Sequence, residues 1–292
     1  MRVKHALKLI LKSFDIDPSA LIEGVGYWSL NLALAQKGLK SMVESLTEIV
    51  PDISGQYSGS EMQGPYWQLK VRALHAFQTT LMLKALAGLP RKRLTVVDIG
   101  DSAGTHMIYL TKLAGEGIDL ETISVNLDPK AVEKISAKGL KAILCRAECL
   151  DLGPDKPVDL FTSFEMVEHL HNPAIFFRRL AKKSPGNLMV ITVPYMRKSR
   201  MGLYHTRNPA TSPVFAEDEH IFELSPQDWA LLFLHSGWRI TYSATYYQYP
   251  RNLPLVSPLL ASFWRHTDFE GFWGAILEKD TSCSDRYQDW EE

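Results

Sequence analysis

The sequence predicts a doubly wound α/β fold on a mostly parallel sheet. Three observations predict it. Short β-branched runs (LTVVDI, TISVNL, KAILCR, VDLFTS, LMVITV) alternate with helical stretches over residues 94–195, the pattern of parallel strands joined by helical crossovers. The first run ends in VVDIGDSAGTHMIYL, where small residues sit directly between a strand and a helix. The first ninety residues, by contrast, contain stretches with apolar side chains at three- and four-residue spacing, which predicts helices there.

Bulk properties set the outer bounds. A chain of 292 residues suffices for one large domain or one domain with additions. With 46% hydrophobic and 22% charged residues the composition is that of a globular protein. A formal net charge of −1 provides no global field for nucleic acid or anionic membrane. Cys145, Cys149 and Cys283 are too scattered for a disulfide framework, so reduced thiols and a cytoplasmic location are expected.

At the N-terminus, MRVKHALKLILKSF is basic and apolar, but Lys8 and Lys12 interrupt any secretory core. Leu7, Ile10, Leu11 and Phe14 recur at helical spacing, so an amphipathic helix is expected. It fits packing on the protein itself, or peripheral contact with a membrane surface. ALAQKGLKSMVESLTEIV and YWQLKVRALHAFQTTLMLKALAGL read as helices, and PDISGQYSGSEMQGP between them reads as a loop. No stretch is long and apolar enough to span a bilayer.

Beyond Pro194 the pattern loosens, with Arg197, Lys198, Arg200 and Arg207 in an irregular stretch. SPQDWALLFLHSGW then carries the marks of a capped helix: Ser225 at the cap, Pro226 in the first turn, Asp228 at the box position and Gly237 near the end. WRITYSATYY follows as a strand, and the last forty residues are expected to be helical and rich in aromatics.

The turn after the first strand has Asp98, Gly100, Ser102 and Gly104 at alternate positions. Such a turn lets the backbone approach a ligand at a helix N-terminus. The G-x-G-x-x-G of dinucleotide enzymes is missing, which argues against a nicotinamide cofactor. Asp98-Ile-Gly100-Asp-Ser102-Ala-Gly104 instead resembles the first motif of the class I S-adenosylmethionine-dependent methyltransferases, D-x-G-x-G-x-G, with serine for the middle glycine. VNLDPKAV, the Asp159 strand, FEMVEHL and SPGNLMVITVP continue the resemblance over residues 94–245.

The resemblance implies a Rossmann-like sheet, S-adenosylmethionine as cofactor and a methyltransferase activity. It divides the chain into a helical N-terminal region (1–90), a cofactor-binding domain (91–250) and a C-terminal helical, aromatic cap (251–292). Carried over residue by residue, cofactor contacts fall on Asp98, Gly100, Ser102, Gly104, Asn126, Leu127, Glu148 and Phe164. Two of these depart from the family pattern. Asn126 stands where an acid usually takes both ribose hydroxyls, and its neutral amide makes weaker hydrogen bonds. Arg146, Ala147 and Glu148 occupy the region where an aspartate often lies near the adenine.

FEMVEHL places Glu165, Glu168 and His169 at the end of a buried strand, where charged groups are costly unless paired, ligated or catalytic. If a helix starts at Glu165, the three share one face. Their oxygens and nitrogen make a partial shell for a divalent cation such as Mg, Mn or Zn, and EDEHIFELSPQDW offers His220 as a further ligand. E-x-x-E-H with a later H-x-F-E resembles the O-methyltransferases of ubiquinone synthesis and the small-RNA 2′-O-methyltransferases. That resemblance implies a metal held by Glu165, Glu168, His169 and His220. Two other uses stay open: a metal-free role for Glu165, His169 and His220 as acid, base or acceptor-positioning groups, and a structural role favoured by the helix dipole.

The acceptor expected is a small molecule or glycan, of anionic character if the basic loop meets it, with Tyr66, Trp67, Tyr195 and Tyr204 as walls. O-methylation is the expected reaction. Beyond that loop the only basic run is Arg91-Lys92-Arg93, which argues against nucleic acid. Metal-dependent methylation of an RNA end is one alternative, and a catalytically silent binding or scaffold protein is the other.

Overall fold

The computed structural model describes residues 17–57, 63–89, 93–153, 158–183, 186–202 and 219–287. The amphipathic segment before Asp17, together with Arg91, Lys92, Tyr204 and Arg207, lies outside the described residues. Helices α1 (Pro18–Lys37), α2 (Lys40–Ile49) and α3 (Pro65–Leu86) precede the sheet. The stretch read as one helical pattern across Gly38 is two helices, because Gly38 adopts a left-handed φ of 71° and ends α1. Arg72 of α3, 4% exposed, gives hydrogen bonds to the carbonyls of Leu46, Val50 and Pro51 at the end of α2. A buried cation on helix-end carbonyls is favoured by both hydrogen bonding and the helix dipole.

The α/β alternation follows as expected: β1 (Arg93–Ile99), α4 (Thr105–Leu113), β2 (Asp119–Asn126), α5 (Pro129–Ala137), β3 (Lys141–Leu144), β4 (Leu160–Phe164), α6 (Pro173–Lys183) and β5 (Leu188–Pro194). A short antiparallel pair, β6 (Arg200–Met201) and β7 (Phe222–Glu223), precedes α7 (Pro226–His235) and β8 (Trp238–Tyr247). The Ser225 side chain accepts from the Asp228 amide, making the cap that the sequence predicts.

The C-terminal region corrects an expectation. It contains one helix, α8 (Val256–Thr267), followed by a strand, β9 (Gly271–Lys279). That strand lies inside the seven-stranded sheet, whose order is β3-β2-β1-β4-β5-β9-β8, antiparallel to both β5 and β8. GFWGAILEK is buried along most of its length, so its aromatic and aliphatic content serves a two-sided strand and not a helical cap.

Two apolar layers sandwich the sheet. One joins α1 to α4 and α8, with Leu30, Phe77 and Trp264 fully enclosed. The other joins α6 and α7, with Phe177, Trp229 and Phe233 fully enclosed. Burying each such side chain contributes roughly 1.5–3 kcal/mol. Strand order reverses between β1 and β4, which opens a crevice at their carboxyl ends, the place where α/β sheets take ligands. Among the described residues no helix is long and apolar enough to cross a membrane.

Candidate active site

The β1–α4 turn is built for close backbone approach. Gly100 and Gly104 have φ of 95° and 73°, a region open to glycine and strained for other residues. A Cβ on Gly100 would lie 2.5 Å from Met166 Cγ, and one on Gly104 would lie 2.4 Å from Leu140 Cδ1. Asp101, which sequence reasoning passed over, holds the turn. One of its oxygens accepts from the Ala103 and Gly104 amides (3.0 and 2.8 Å), and the other accepts from the Ser124 hydroxyl (2.6 Å).

Asp98 lies beneath this turn at 1% exposure and accepts from the Thr162 hydroxyl at 2.8 Å. Burial and the nearby Asp101 push its carboxyl well above the usual range. His106, in the first turn of α4, lies 3.8 Å away through Nδ1, and burial pushes its imidazole down to about 4. The Phe164 ring packs on His106 at 4.6 Å between centroids. Ser102 is half-buried in the turn.

Asn126 ends β2 with its amide already engaged. Its Nδ2 donates to the Asp101 carbonyl and its Oδ1 accepts from the Asp128 amide, both at 2.8 Å. The residue therefore braces the two turns against each other, a role its position alone did not disclose. Leu127 beside it is 51% exposed. Glu148 sits in a 3₁₀ turn after β3, 3.4 Å from Arg146.

At the end of β4 the local geometry differs from the expected helix. Glu165 has a φ of 49°, the only positive value among the described non-glycine residues. The chain then makes a single 3₁₀ turn, Val167–His169. Left-handed backbone at Glu165 breaks the i, i+3, i+4 relationship on which a shared helical face depends. Glu168, His169 and His220 nevertheless converge, with one ligand-type atom from each within 4.8 Å of the others, and Glu165 stands outside that group. The Ile221 amide bonds to the Glu168 carbonyl at 2.9 Å, which draws His220 across until the two imidazole rings meet edge to face at 4.5 Å.

Glu168 is 1% exposed, and neither carboxylate oxygen has a hydrogen-bond partner. Burial raises its pKa, against the pull of His169 and His220. Burial also pushes Glu165 well up, with Glu168 adding to the shift and the Thr192 hydroxyl opposing it. His169 Nδ1 lies 2.9 Å from the Glu219 carbonyl. A carbonyl only accepts, so Nδ1 carries the proton and Nε2 is the free nitrogen. Burial alone would lower His220, but Glu223 at 3.5 Å and Glu168 outweigh it and raise its pKa.

The other predicted contacts divide. Arg200 is taken up by the buried Glu223. Tyr66 is buried in the apolar layer on the helical side of the sheet and meets Trp67 edge to face at 5.0 Å. Trp67 is partly buried beneath the Lys70 ammonium, and Tyr195 packs on Tyr247 at the sheet's carboxyl edge. Gln78 and Thr192, which no motif marked, are linked within the protein beside this crevice.

The model of a family described as a methyltransferase domain matches residues 73–243. No curated protein matches the chain. Among solved structures, magnesium protoporphyrin IX methyltransferase from Synechocystis PCC 6803, with S-adenosylmethionine bound, superposes with a TM-score of 0.52 at 11% identity, covering 83% of this chain and 97% of that one. The 1,6-didemethyltoxoflavin-N1-methyltransferase of Burkholderia thailandensis, with S-adenosylhomocysteine bound, gives 0.51 at 13% identity, over 71% and 79%. The cyclase SpnF gives 0.53 at 11%, over 85% and 96%. At these identities the likeness is one of fold. Together with the family match over more than half of its length, it makes the chain a member of the class I S-adenosylmethionine-dependent methyltransferase family.

Proposed function

We propose that the chain binds S-adenosylmethionine at the carboxyl ends of β1, β2 and β4 and methylates a hydroxyl of a small molecule or glycan. The bound cofactor supplies an activated methyl group on a sulfonium. Gly100 and Gly104 let the turn pack against Met166 and Leu140, Asp101 holds it in shape, and Asn126, Leu127, Glu148 and Phe164 flank the crevice. The enzyme's remaining task is to align the acceptor and take its proton. Without a metal His169 suits the proton-accepting part of that task, since its Nδ1–H is held by the Glu219 carbonyl and its Nε2 is left to accept. With a metal that same nitrogen is a ligand and the proton goes to another group.

The observation that carries the acceptor side is Glu168, a buried carboxylate with neither oxygen satisfied, flanked by two imidazoles. Such a group is costly without a partner, and its surroundings fit a divalent cation of the Mg, Mn or Zn type. Glu168, His169 and His220 would hold that cation, and bound there it would lower the acceptor hydroxyl's pKa and set its direction. Glu165 then serves beside this group as a proton-accepting or acceptor-positioning carboxylate.

Calorimetric titration with S-adenosylhomocysteine tests the reading. Saturable micromolar binding, lost in Gly100→Arg, is the expected result; no binding at millimolar ligand overturns it. Asn126 favours a second reading, a silent binding protein, because the amide that replaces the usual ribose-binding acid is already bonded to backbone. The same titration separates the two.

A further inference from the structure

A second charged cluster lies at the same edge of the sheet. Glu270, just before β9, is 4% exposed and accepts three hydrogen bonds, from Arg197 Nη2 (2.9 Å), Arg265 Nη1 (3.0 Å) and the Tyr249 hydroxyl (2.6 Å), with Arg197 Nε also paired to it at 2.9 Å. These donors come from the segment after β5, the last turn of α8 and the segment after β8. Burial alone would push the Glu270 carboxyl up, but Tyr249, Arg197 and Arg265 hold it below the usual range.

Two guanidiniums face this one carboxylate, so positive charge is left over. Glu270 takes up only part of each guanidinium's donor set, and the side chains of Arg197 and Arg265 remain 56% and 42% exposed. A third cation, Arg251, lies over the Tyr247 ring at 4.3 Å, and Tyr247 packs on Tyr195 at 5.1 Å. Neutralising a buried glutamate requires one arginine. The second leaves one positive charge at the exposed side of the cluster, open to an anion. The cluster also adjoins the acceptor side: Phe269, next to Glu270, lies parallel to the His220 ring at 5.4 Å and 8°.

We propose that Arg197 and Arg265, held in place by Glu270, form a clamp for an oxyanion carried by the acceptor, a phosphate or a carboxylate. Arginine forks match both groups, and fixing them in advance lowers the ordering cost of binding. The acceptor's ring lies against Tyr195 and Tyr247, and its hydroxyl reaches toward His169 and His220. The proposal rests on the acceptor side assigned above and narrows the acceptor to an anionic small molecule.

The test titrates the full chain with phenyl phosphate, benzoate and neutral phenol at matched ionic strength. At least one anion is expected to bind about tenfold more tightly than phenol. Phosphate tighter than benzoate indicates a phosphorylated acceptor, and the reverse indicates a carboxylate. Arg197→Lys keeps a charge for Glu270 but loses the fork; it should weaken the anion about tenfold while circular dichroism shows the fold retained. Arg265→Gln should weaken it similarly. Anions no tighter than phenol, or anion affinity unchanged in both variants, overturns the clamp. S-adenosylhomocysteine affinity, measured on the same samples, separates the two readings. Anion binding without it keeps the clamp and removes the methyltransferase reading, and its binding without anions does the opposite.

Discussion

The side-chain amide of Gln78, midway along α3, donates to the Thr192 hydroxyl of β5 across 2.9 Å, with both residues enclosed. The carbonyl of the same amide lies 2.9 Å from His106 Nε2, which must therefore donate to it. One side chain thus ties the N-terminal helices to the end of β5 and to the first turn of α4, immediately after the glycine turn. The helical region is fastened to the sheet by buried hydrogen bonds.

Gln78→Leu keeps the volume and removes both bonds. It leaves the His106 N–H buried without a partner and takes from the Thr192 hydroxyl the donor it accepts from, at a cost of about 1–3 kcal/mol. Chemical denaturation should show a lower midpoint with an unchanged slope. A midpoint equal to that of the unaltered chain would mean that the link contributes nothing.

Gly100→Ala meets two obstacles, a φ of 95° and a Cβ 2.5 Å from Met166 Cγ. A loss of about 1–2 kcal/mol in stability is expected from the backbone alone, with S-adenosylhomocysteine affinity falling at least about tenfold. Adding Met166→Ala should relieve the contact but not the φ, so the double variant recovers only in part. Full recovery would show that strain at Gly100 is unimportant.

Glu168 ties stability to ligand. Without a cation its carboxylate is buried and unpartnered, so Glu168→Gln should raise metal-free stability by about 1 kcal/mol. With Mn or Zn at a hundredfold excess over the dissociation constant, the unaltered chain should gain about 2.7 kcal/mol. The variant should gain far less. Thermal melts with and without chelator read both effects, and identical metal responses would remove the cation from the site.

His75 supplies a pH signature away from that cluster. It is 1% exposed, and burial, with the nearby His106 and Arg72, holds its imidazole well below the usual value. On unfolding it regains an ordinary pKa of about 6.5. The unfolded chain then binds the extra proton, so this contribution is present above about pH 6.5 and is lost as pH falls below it. His75→Phe should flatten the fall in melting temperature between neutral and mildly acidic pH. An unaltered slope would contradict the assignment.

The parts legible from sequence are those whose causes lie within a few residues. LTVVDI is apolar because both faces of β1 are covered, and Ser225 caps α7 through an amide three residues away. Gly100 and Gly104 mark the turn because their positive φ values demand glycine there. FEMVEHL stood out because charged groups are costly beside a buried strand.

Only the tertiary structure decided the rest, because it depends on partners distant in the chain. GFWGAILEK became an interior strand through pairing with β5 and β8, and no local pattern names such partners. Left-handed backbone at Glu165 replaced the expected helix start, while the Ile221–Glu168 backbone bond brought His220 in. Gln78 lies among the apolar residues of α3, and its role exists only where Thr192 and His106 meet it. The sequence by itself determined the five parallel strands, the glycine turn and the presence of buried charge. Folding decided which charges face one another, since electrostatics and hydrogen bonding act over ångströms in space and not along the chain.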